Sequence, residues 1–415
     1  MIFTFLVVMN KEKVLLLEDN FGLPLYLFNE KEFCENYSHL VKAIADVYPK
    51  YRLAYSYKTN YTPYICKLVK SLGGYAEVVS DMEYLVAKHV GYDDNKIIYN
   101  GPVKGPLMDE MLLNGGIVNI DNKVEALRIV AIARNNKDKK IKVGLRLNVD
   151  VGQGFVSRFG IDADSLEVDE IYGLLNNEPN ITVVGIHMHV GRTRHVDAWH
   201  RRAVAMIEIA DKLFDEAPEF IDLGSGMFGE MEEGLAKQFG DNIPTFEEYA
   251  EAVARPFKER YGHLPEDRQP ILFTEPGTTV ANRYVDFIAQ VQSIKNIRGK
   301  SFIALNCSVD NIGTMSRAKI MPLSVISNGG EQIEVSAACL VGYTCLENDV
   351  MYKEYTGKIG VGDYIIFGNV GGYSNVSKPP FILWNCPMIA EQTDGNYRII
   401  KRQEKYEDIF NSYIL

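Results

Sequence analysis

Leu53-Ala54-Tyr55-Ser56-Tyr57-Lys58-Thr59-Asn60 is an apolar, aromatic run that ends on a lysine. Residues of this kind fit a half-buried pleated strand. A strand that hands over to lysine at its carboxyl end holds the amine rigidly. Partial burial lowers an ammonium's pKa and frees the lone pair to attack a carbonyl. A lysine so placed can equally snorkel to solvent, so what the other strand ends carry decides its role.

Similar runs recur at Gly74–Val79, Ile97–Asn100, Ile117–Ile120, Lys142–Leu147, Val183–His189, Phe220–Leu223 and Ile271–Thr274. Amphipathic stretches fill the gaps: Thr62–Leu72, Tyr84–Val90 behind the capping signature Ser80-Asp81-Met82-Glu83, Lys123–Ala133, His200–Phe214 and Phe246–Tyr261. Alternating strands and helices imply parallel pairing. Eight such units imply a closed (β/α)8 barrel, whose carboxyl rim is where chemistry sits. An open doubly wound sheet would carry a dinucleotide fingerprint early, and no Gly-x-Gly-x-x-Gly follows the first strand. After Asn282 the pattern turns to short β-type runs: Val285–Val291, Ser301–Leu305, Gln332–Val335, Asp363–Phe367 and Tyr397–Lys401. The expected organisation is a barrel over 30–280 and an antiparallel β domain built from 1–29 and 281–415, with Pro24–Phe28 as one of its strands.

The chain has 415 residues, 47% of them hydrophobic and 24% charged, with net charge -11. This balance suits a globular protein and argues against nucleic acid or an anionic membrane as partner. The apolar start, Met1–Met9, is too short to span a bilayer and reads as a strand or an alternative start region. Six scattered cysteines (Cys34, Cys66, Cys307, Cys339, Cys345, Cys386) read as reduced thiols of a cytoplasmic protein, and no metal-ligand spacing is present.

The other strand ends carry distinctive groups. Strand six ends His187-Met188-His189-Val190-Gly191-Arg192, strand seven Asp222-Leu223-Gly224-Ser225-Gly226, and strand eight Glu275-Pro276-Gly277. A Gly-Ser-Gly turn exposes backbone N–H groups that can cradle a phosphate. A histidine ring can stack on a flat heterocycle, a carboxylate can keep a ring nitrogen protonated, and an amine can close an imine. One ligand suits all four: pyridoxal 5′-phosphate.

With these motifs the chain resembles the fold-type III pyridoxal-phosphate decarboxylases, the group of diaminopimelate, ornithine and arginine decarboxylases. The resemblance implies an alanine-racemase-like barrel in which Lys58 forms the imine with the cofactor and His189 stacks on its ring. It implies that Gly224, Ser225 and Gly226 bind the phosphate and that Glu275 pairs with the pyridine nitrogen. Glu77, Arg146, Arg192, Gly277 and Tyr373 complete the implied cofactor shell. Gly342-Tyr343-Thr344-Cys345-Leu346-Glu347-Asn348-Asp349 resembles the family's catalytic-cysteine segment, with Thr278, Leu346, Glu347 and Asp349 towards substrate. The resemblance further implies a homodimer in which Cys345 serves the partner subunit and protonates Cα after CO₂ leaves.

Three departures bear on substrate. The family usually places arginine after Glu-Pro-Gly, and here it is Thr278; it usually has serine where this chain has Arg192. Arg192 is therefore expected to replace the missing guanidinium. Relatives acting on diamino acids carry an acid after the cysteine, and here it is Leu346. A free distal ammonium would be left unpaired there, so a derivatised amino acid is the expected substrate. Two other functions fit parts of the pattern: a racemase or epimerase on the same fold, and a non-catalytic pyridoxal-phosphate-binding homologue.

Overall fold

The computed structural model describes residues 9–152, 154–240 and 242–414. In chain order the strands are β1 (Leu25–Asn29), β2 (Tyr51–Ser56), β3 (Tyr75–Val78), β4 (Ile97–Tyr99), β5 (Ile117–Ile120), β6 (Ile141–Asn148), β7 (Ile161–Asp162), β8 (Ile181–Met188), β9 (Phe220–Asp222), β10 (Ile271–Thr274), β11 (Val285–Ile297), β12 (Lys300–Leu305), β13 (Leu323–Ile326), β14 (Ile333–Val341), β15 (Val350–Ile359), β16 (Tyr364–Phe367), β17 (Met388–Glu391) and β18 (Tyr397–Lys401). The chain divides into two units. One comprises Cys34–Gly229 and Asn242–Val280; the other gathers the chain up to Phe33, an excursion beginning at Glu230, and everything from Ala281 onward.

The first unit holds the barrel. Strands β2, β3, β4, β5, β6, β8, β9 and β10 pair in that order and β10 returns to β2, every pairing parallel. The two-residue β7 pairs with β6 alone among these strands. Inside the barrel, Ala54, Tyr75, Ile98, Val184, Phe220 and Phe273 form a buried cluster. Space for the Phe220 ring comes from two glycines. A Cβ on Gly144 would lie 2.7 Å from its Cζ, and one on Gly185 2.5 Å from its Cε1.

Helices follow the strands where the 3.6-residue period predicts them: Pro63–Ser71, Asp81–His89, Lys123–Asn135, Val196–Leu213 and Phe246–Tyr261. The Asp81–His89 helix starts as its capping signature demands on one side only. Ser80 Oγ accepts from Glu83 N–H at 3.3 Å, but the Glu83 carboxylate reaches back one residue further, to Val79 N–H at 2.8 Å. Helices Leu107–Leu113 and Leu166–Asn176 also cover the barrel and carry weaker sequence signals.

The second unit is a mixed sheet rather than a purely antiparallel one. Its order is β15-β14-β12-β11-β1-β17-β18, with β16 pairing β11 and β13. Most pairs are antiparallel, but β1·β17 and β12·β14 run parallel. The parallel pair at β1 has a simple cause. An early strand inserts between β11 and a late strand, placing Leu27 opposite Asp286 on one side and Ile389 on the other. Helix Lys11–Phe21, capped by the Asn10 side chain on Lys13 N–H, lays Val14 and Leu17 against Leu25, Leu27, Ile288 and Ile389. The strand expected over Met1–Met9 falls outside the described residues, except that Met9 packs against this cluster. Among the described residues no helix is long and apolar enough to cross a membrane.

Candidate active site

Lys58 lies in the single turn Tyr57–Thr59 that follows β2. Its Nζ donates to Glu77 Oε2 at 2.8 Å, and Ser56 Oγ donates to the same oxygen at 2.5 Å. Register explains the meeting, because Ser56 on β2 is the direct partner of Glu77 on β3. Glu77 is fully buried, whereas the Lys58 side chain keeps 30% of its surface. The amine is therefore anchored to a buried carboxylate, on a side chain that is itself only partly buried. Beside this pair stands Glu83, whose carboxyl burial and the neighbouring Glu77 push up to about 7.

Asn100, just past β4, connects the barrel's interior. Its Nδ2 donates to Glu275 Oε1, its Oδ1 accepts from Asn119 Nδ2 at 2.7 Å, and its carbonyl accepts from Arg146 Nη1 at 2.6 Å. Arg146 also pairs with Asp121 at 3.3 Å and lies 4.8 Å over the Phe159 ring. It is tied to the wall, bonding to the Asn100 carbonyl and lying beside His187, its register partner on β8.

Glu275 sits in a buried trio with His187 and Asp222, whose nearest ligand atoms all lie within 4.8 Å of one another. Burial alone would protonate Glu275, but His187, His189 and Lys58 together hold its pKa well below the ordinary range. Asp222 behaves oppositely: burial, then the Glu275 charge, raise it well above. Burial also lowers His187, so the ring is neutral at pH 7. Within the trio the negative charge is favoured on Glu275 and disfavoured on Asp222. His187 Nε2 stands 3.3 Å from Glu275 Oε1, yet both its ring nitrogens and Asp222 Oδ2 lack hydrogen-bond partners among the described residues. Unpaired buried polar atoms of this kind mark a place organised for something other than stability.

Two loops close one side of the mouth. His189 Nδ1 accepts from Ser225 N–H at 3.2 Å, which places a neutral ring's proton on Nε2. Gly224 N–H donates to Asp222 Oδ1 at 2.9 Å. Gly224 has φ +67°, and a Cβ there would lie 2.3 Å from the Met188 carbonyl oxygen, so only glycine fits. Of the three amides expected to form a phosphate cradle, two are therefore committed within the protein. Gly226 N–H has no partner among the described residues. Behind the turn lies Arg202, which is fully buried and which the motifs alone do not single out. Gly277 is pressed against β2's exit: a Cβ there would lie 1.9 Å from Thr59 Oγ1. Arg192 is exposed, with its guanidinium 5.3 Å over the Phe155 ring. Neither Arg192 nor Thr278 bonds into this network among the described residues.

A family described as pyridoxal-dependent decarboxylase, pyridoxal binding domain, matches residues 35–282, more than half the chain. The chain belongs to the pyridoxal-dependent decarboxylases. A diaminopimelate decarboxylase of Neisseria meningitidis serogroup B is 28% identical over 413 residues, covering 94% of this chain and 93% of that protein. Among solved structures, diaminopimelate decarboxylase from Helicobacter pylori, complexed with L-lysine, superposes with TM-score 0.82 at 20% identity, covering 96% and 98% of the two chains. Lysine decarboxylase from Selenomonas ruminantium gives 0.77 at 19% identity, covering 93% and 97%.

The cofactor of the family, pyridoxal phosphate, fits the groups this decarboxylase offers. A half-exposed amine stands over a buried carboxylate, an ionised Glu275 faces unpaired polar atoms, and a glycine turn presents an unused N–H. In the second unit, the segment after β14 carries Cys345, Leu346 and Glu347, all exposed. Asp349, expected towards substrate, is buried, and both its oxygens are occupied. Oδ1 accepts from Val309 N–H at 2.7 Å, and Oδ2 accepts from Thr344 N–H and Oγ1 at 3.1 and 2.7 Å. In this chain it ties down the cysteine loop. Tyr373 has φ +54°, a strained setting for a non-glycine residue. Sequence reasoning missed Asn100, Asp222, Glu83 and Arg202 as parts of the site. The first two directly end or follow a rim strand, which is the signal that locates them.

Proposed function

We propose that this decarboxylase removes the α-carboxylate of an amino acid whose distal end carries no free ammonium. Lys58 supplies the reactive amine, and the partner subunit's copy of Cys345 supplies the proton to Cα. When bound, pyridoxal phosphate supplies an aldehyde for an amine to condense with and a ring that accepts the electron pair left at Cα as CO₂ departs. The Glu77–Lys58–Ser56 contact carries this reading, because it fixes one amine, on a partly exposed side chain, at the barrel mouth.

Each residue then has a definite task. Glu77 orients Lys58 Nζ. Glu275 places a negative charge where a protonated ring nitrogen needs one, and burial beside that charge disfavours ionisation of Asp222. His189, its Nδ1 held by Ser225 N–H, presents a flat neutral face for stacking. Cys345 is a weak acid on an exposed loop and hands its proton to Cα. The loop keeps its shape through Asp349. In a head-to-tail dimer each subunit would complete the other's site. Arg192, exposed at the end of the β8 loop, meets a substrate carboxylate. The apolar Leu346 supports a capped or conjugated side chain, because a free ammonium beside it would lose water without gaining a partner.

The test is a screen of CO₂ release across L- and D-amino acids and their acylated or otherwise conjugated forms, with borohydride trapping at Lys58. Release from a conjugated amino acid, with the adduct at Lys58, is expected. Loss of optical rotation without CO₂, or a trapped adduct without turnover on any of them, would overturn it.

A further inference from the structure

A guanidinium is buried behind the glycine turn. Arg202 lies in helix Val196–Leu213, fully buried. Its Nη1 donates to Ser225 O at 2.7 Å; its Nη2 donates to Val190 O and Thr193 O, both at 2.6 Å, and to Thr193 Oγ1 at 3.2 Å. None of these acceptors is a carboxylate, and Arg202 forms no ion pair among the described residues. Its Nε has no partner among the described residues. The guanidinium stacks 4.4 Å over Trp199, one turn back on the same helix, and Trp199 Nε1 donates to Gly226 O at 3.1 Å. A Cβ on Gly226 would lie 3.5 Å from Arg202 Nη2, so the charge sits directly against the turn.

We infer that Arg202 is the positioning residue of the cofactor's phosphate site: a buried cation that turns the Gly226 amide outward, acts beside Trp199, which turns the Met227 amide, and supplies positive charge behind the turn. This rests on the reading of the barrel mouth as a pyridoxal-phosphate site. The physical reason is the trans peptide, in which C=O and N–H point in opposite directions. Arg202 draws the Ser225 carbonyl inward, so the N–H of the same peptide, Gly226, faces the other way. Trp199 does the same to the Gly226 carbonyl and the Met227 N–H. Neither amide has a partner among the described residues, and successive outward amides form an anion-binding concavity. A cation bonded to the far end of the peptide polarises its N–H further. A buried guanidinium without a carboxylate is costly by itself, and a bound phosphate dianion is the charge that would balance it. Val190, Thr193 and Ser225 come from both loops beside the mouth, so one side chain sets the spacing of the two.

The test compares pyridoxal 5′-phosphate with pyridoxal, which lacks the phosphate, by calorimetry on wild type, Arg202→Lys and Arg202→Met. In Arg202→Met, affinity for the phosphorylated form should fall about tenfold or more, while pyridoxal affinity stays within a factor of about two; Arg202→Lys, which keeps the charge, should recover part of the difference. A parallel fall for both ligands would mark a purely structural role and overturn the inference, as would an unchanged preference. If the variants fail to fold, phosphorus NMR of the wild-type holoprotein decides. The bound phosphate should stay dianionic well below its ordinary second pKa of about 6, and titration near 6 would overturn the assignment. Wild type that binds neither ligand and traps no Lys58 adduct would instead remove the cofactor reading beneath it.

Discussion

The barrel mouth and the cysteine loop of the second unit are built on opposite plans. At the mouth, the side chains of Lys58, Glu77, Asn100, Glu275 and His189 are joined to one another, with Ser225 N–H on the His189 ring, and none of the six is exposed. On the loop, Cys345, Leu346 and Glu347 stand exposed, and the segment is held at its base by the buried Asp349 and by Tyr343 N–H on the Cys307 carbonyl. The difference teaches which half of the chemistry is fixed and which is adjustable. Charges that must be held without water sit on strand ends, where register sets their distances. Groups that meet a variable side chain sit on a loop that can change sequence without disturbing the barrel.

The largest effect should come from breaking the mouth. Lys58→Ala should abolish borohydride trapping and lower CO₂ release by roughly 10³-fold or more; retention of both would remove the amine from the chemistry. Cys345→Ala attacks the other side. It should keep the cofactor's absorbance and the Lys58 adduct while product formation falls by roughly 10²-fold or more. A variant that loses the adduct as well would mean that the two regions are not separable in this way.

Glu83→Gln probes the strain within the mouth. Its carboxyl rises from an ordinary 4.5 to about 7, through burial first and then Glu77. The folded state therefore binds that proton more tightly than the unfolded chain. The associated stability is fully present below about pH 4.5 and is lost as pH rises through about 7, an amount of about 3 kcal/mol. Denaturant unfolding at pH 4.5, 6 and 8 should show this slope in wild type and a flatter profile in Glu83→Gln, whose amide oxygen still accepts from Val79 N–H. Equal slopes would assign the pH dependence elsewhere. The smallest effect tests the loop's adjustability. Leu346→Asp should raise CO₂ release from a free diamino acid by about tenfold relative to a capped one, and no change in that ratio would show that the position does not face the distal end.

The barrel was legible because each strand is a short apolar run separated from the next by a helical period, and because chemistry-bearing residues end those runs. Helix Lys11–Phe21 was not legible. Val14-Leu15-Leu16-Leu17 is a continuous apolar block, and only the fold shows that Val14 and Leu17 face inward while Leu15 and Leu16 stay exposed. The eighteen-residue helix Glu30–Val47, which follows β1, went unread although Asn29 caps it, its Oδ1 accepting from Glu32 N–H at 3.0 Å. The parallel pairings in the second unit depend on which distant strands meet, and no local pattern encodes that. In the site, Lys58, His189 and Glu275 were readable as motif residues. Arg202 was not, since an arginine inside a helix reads as a solvated charge until its burial behind the turn is known. Asp349 was readable as a member of the cysteine segment, but its engagement by the loop's own amides was not.

Phe220 is wedged between Gly144 and Gly185 along the barrel axis, and a single added methyl at either glycine would have to evict the ring. Those two strand positions therefore admit no larger residue without moving the ring, so change at this level of the barrel is costlier than change in an exposed segment such as the one bearing Leu346.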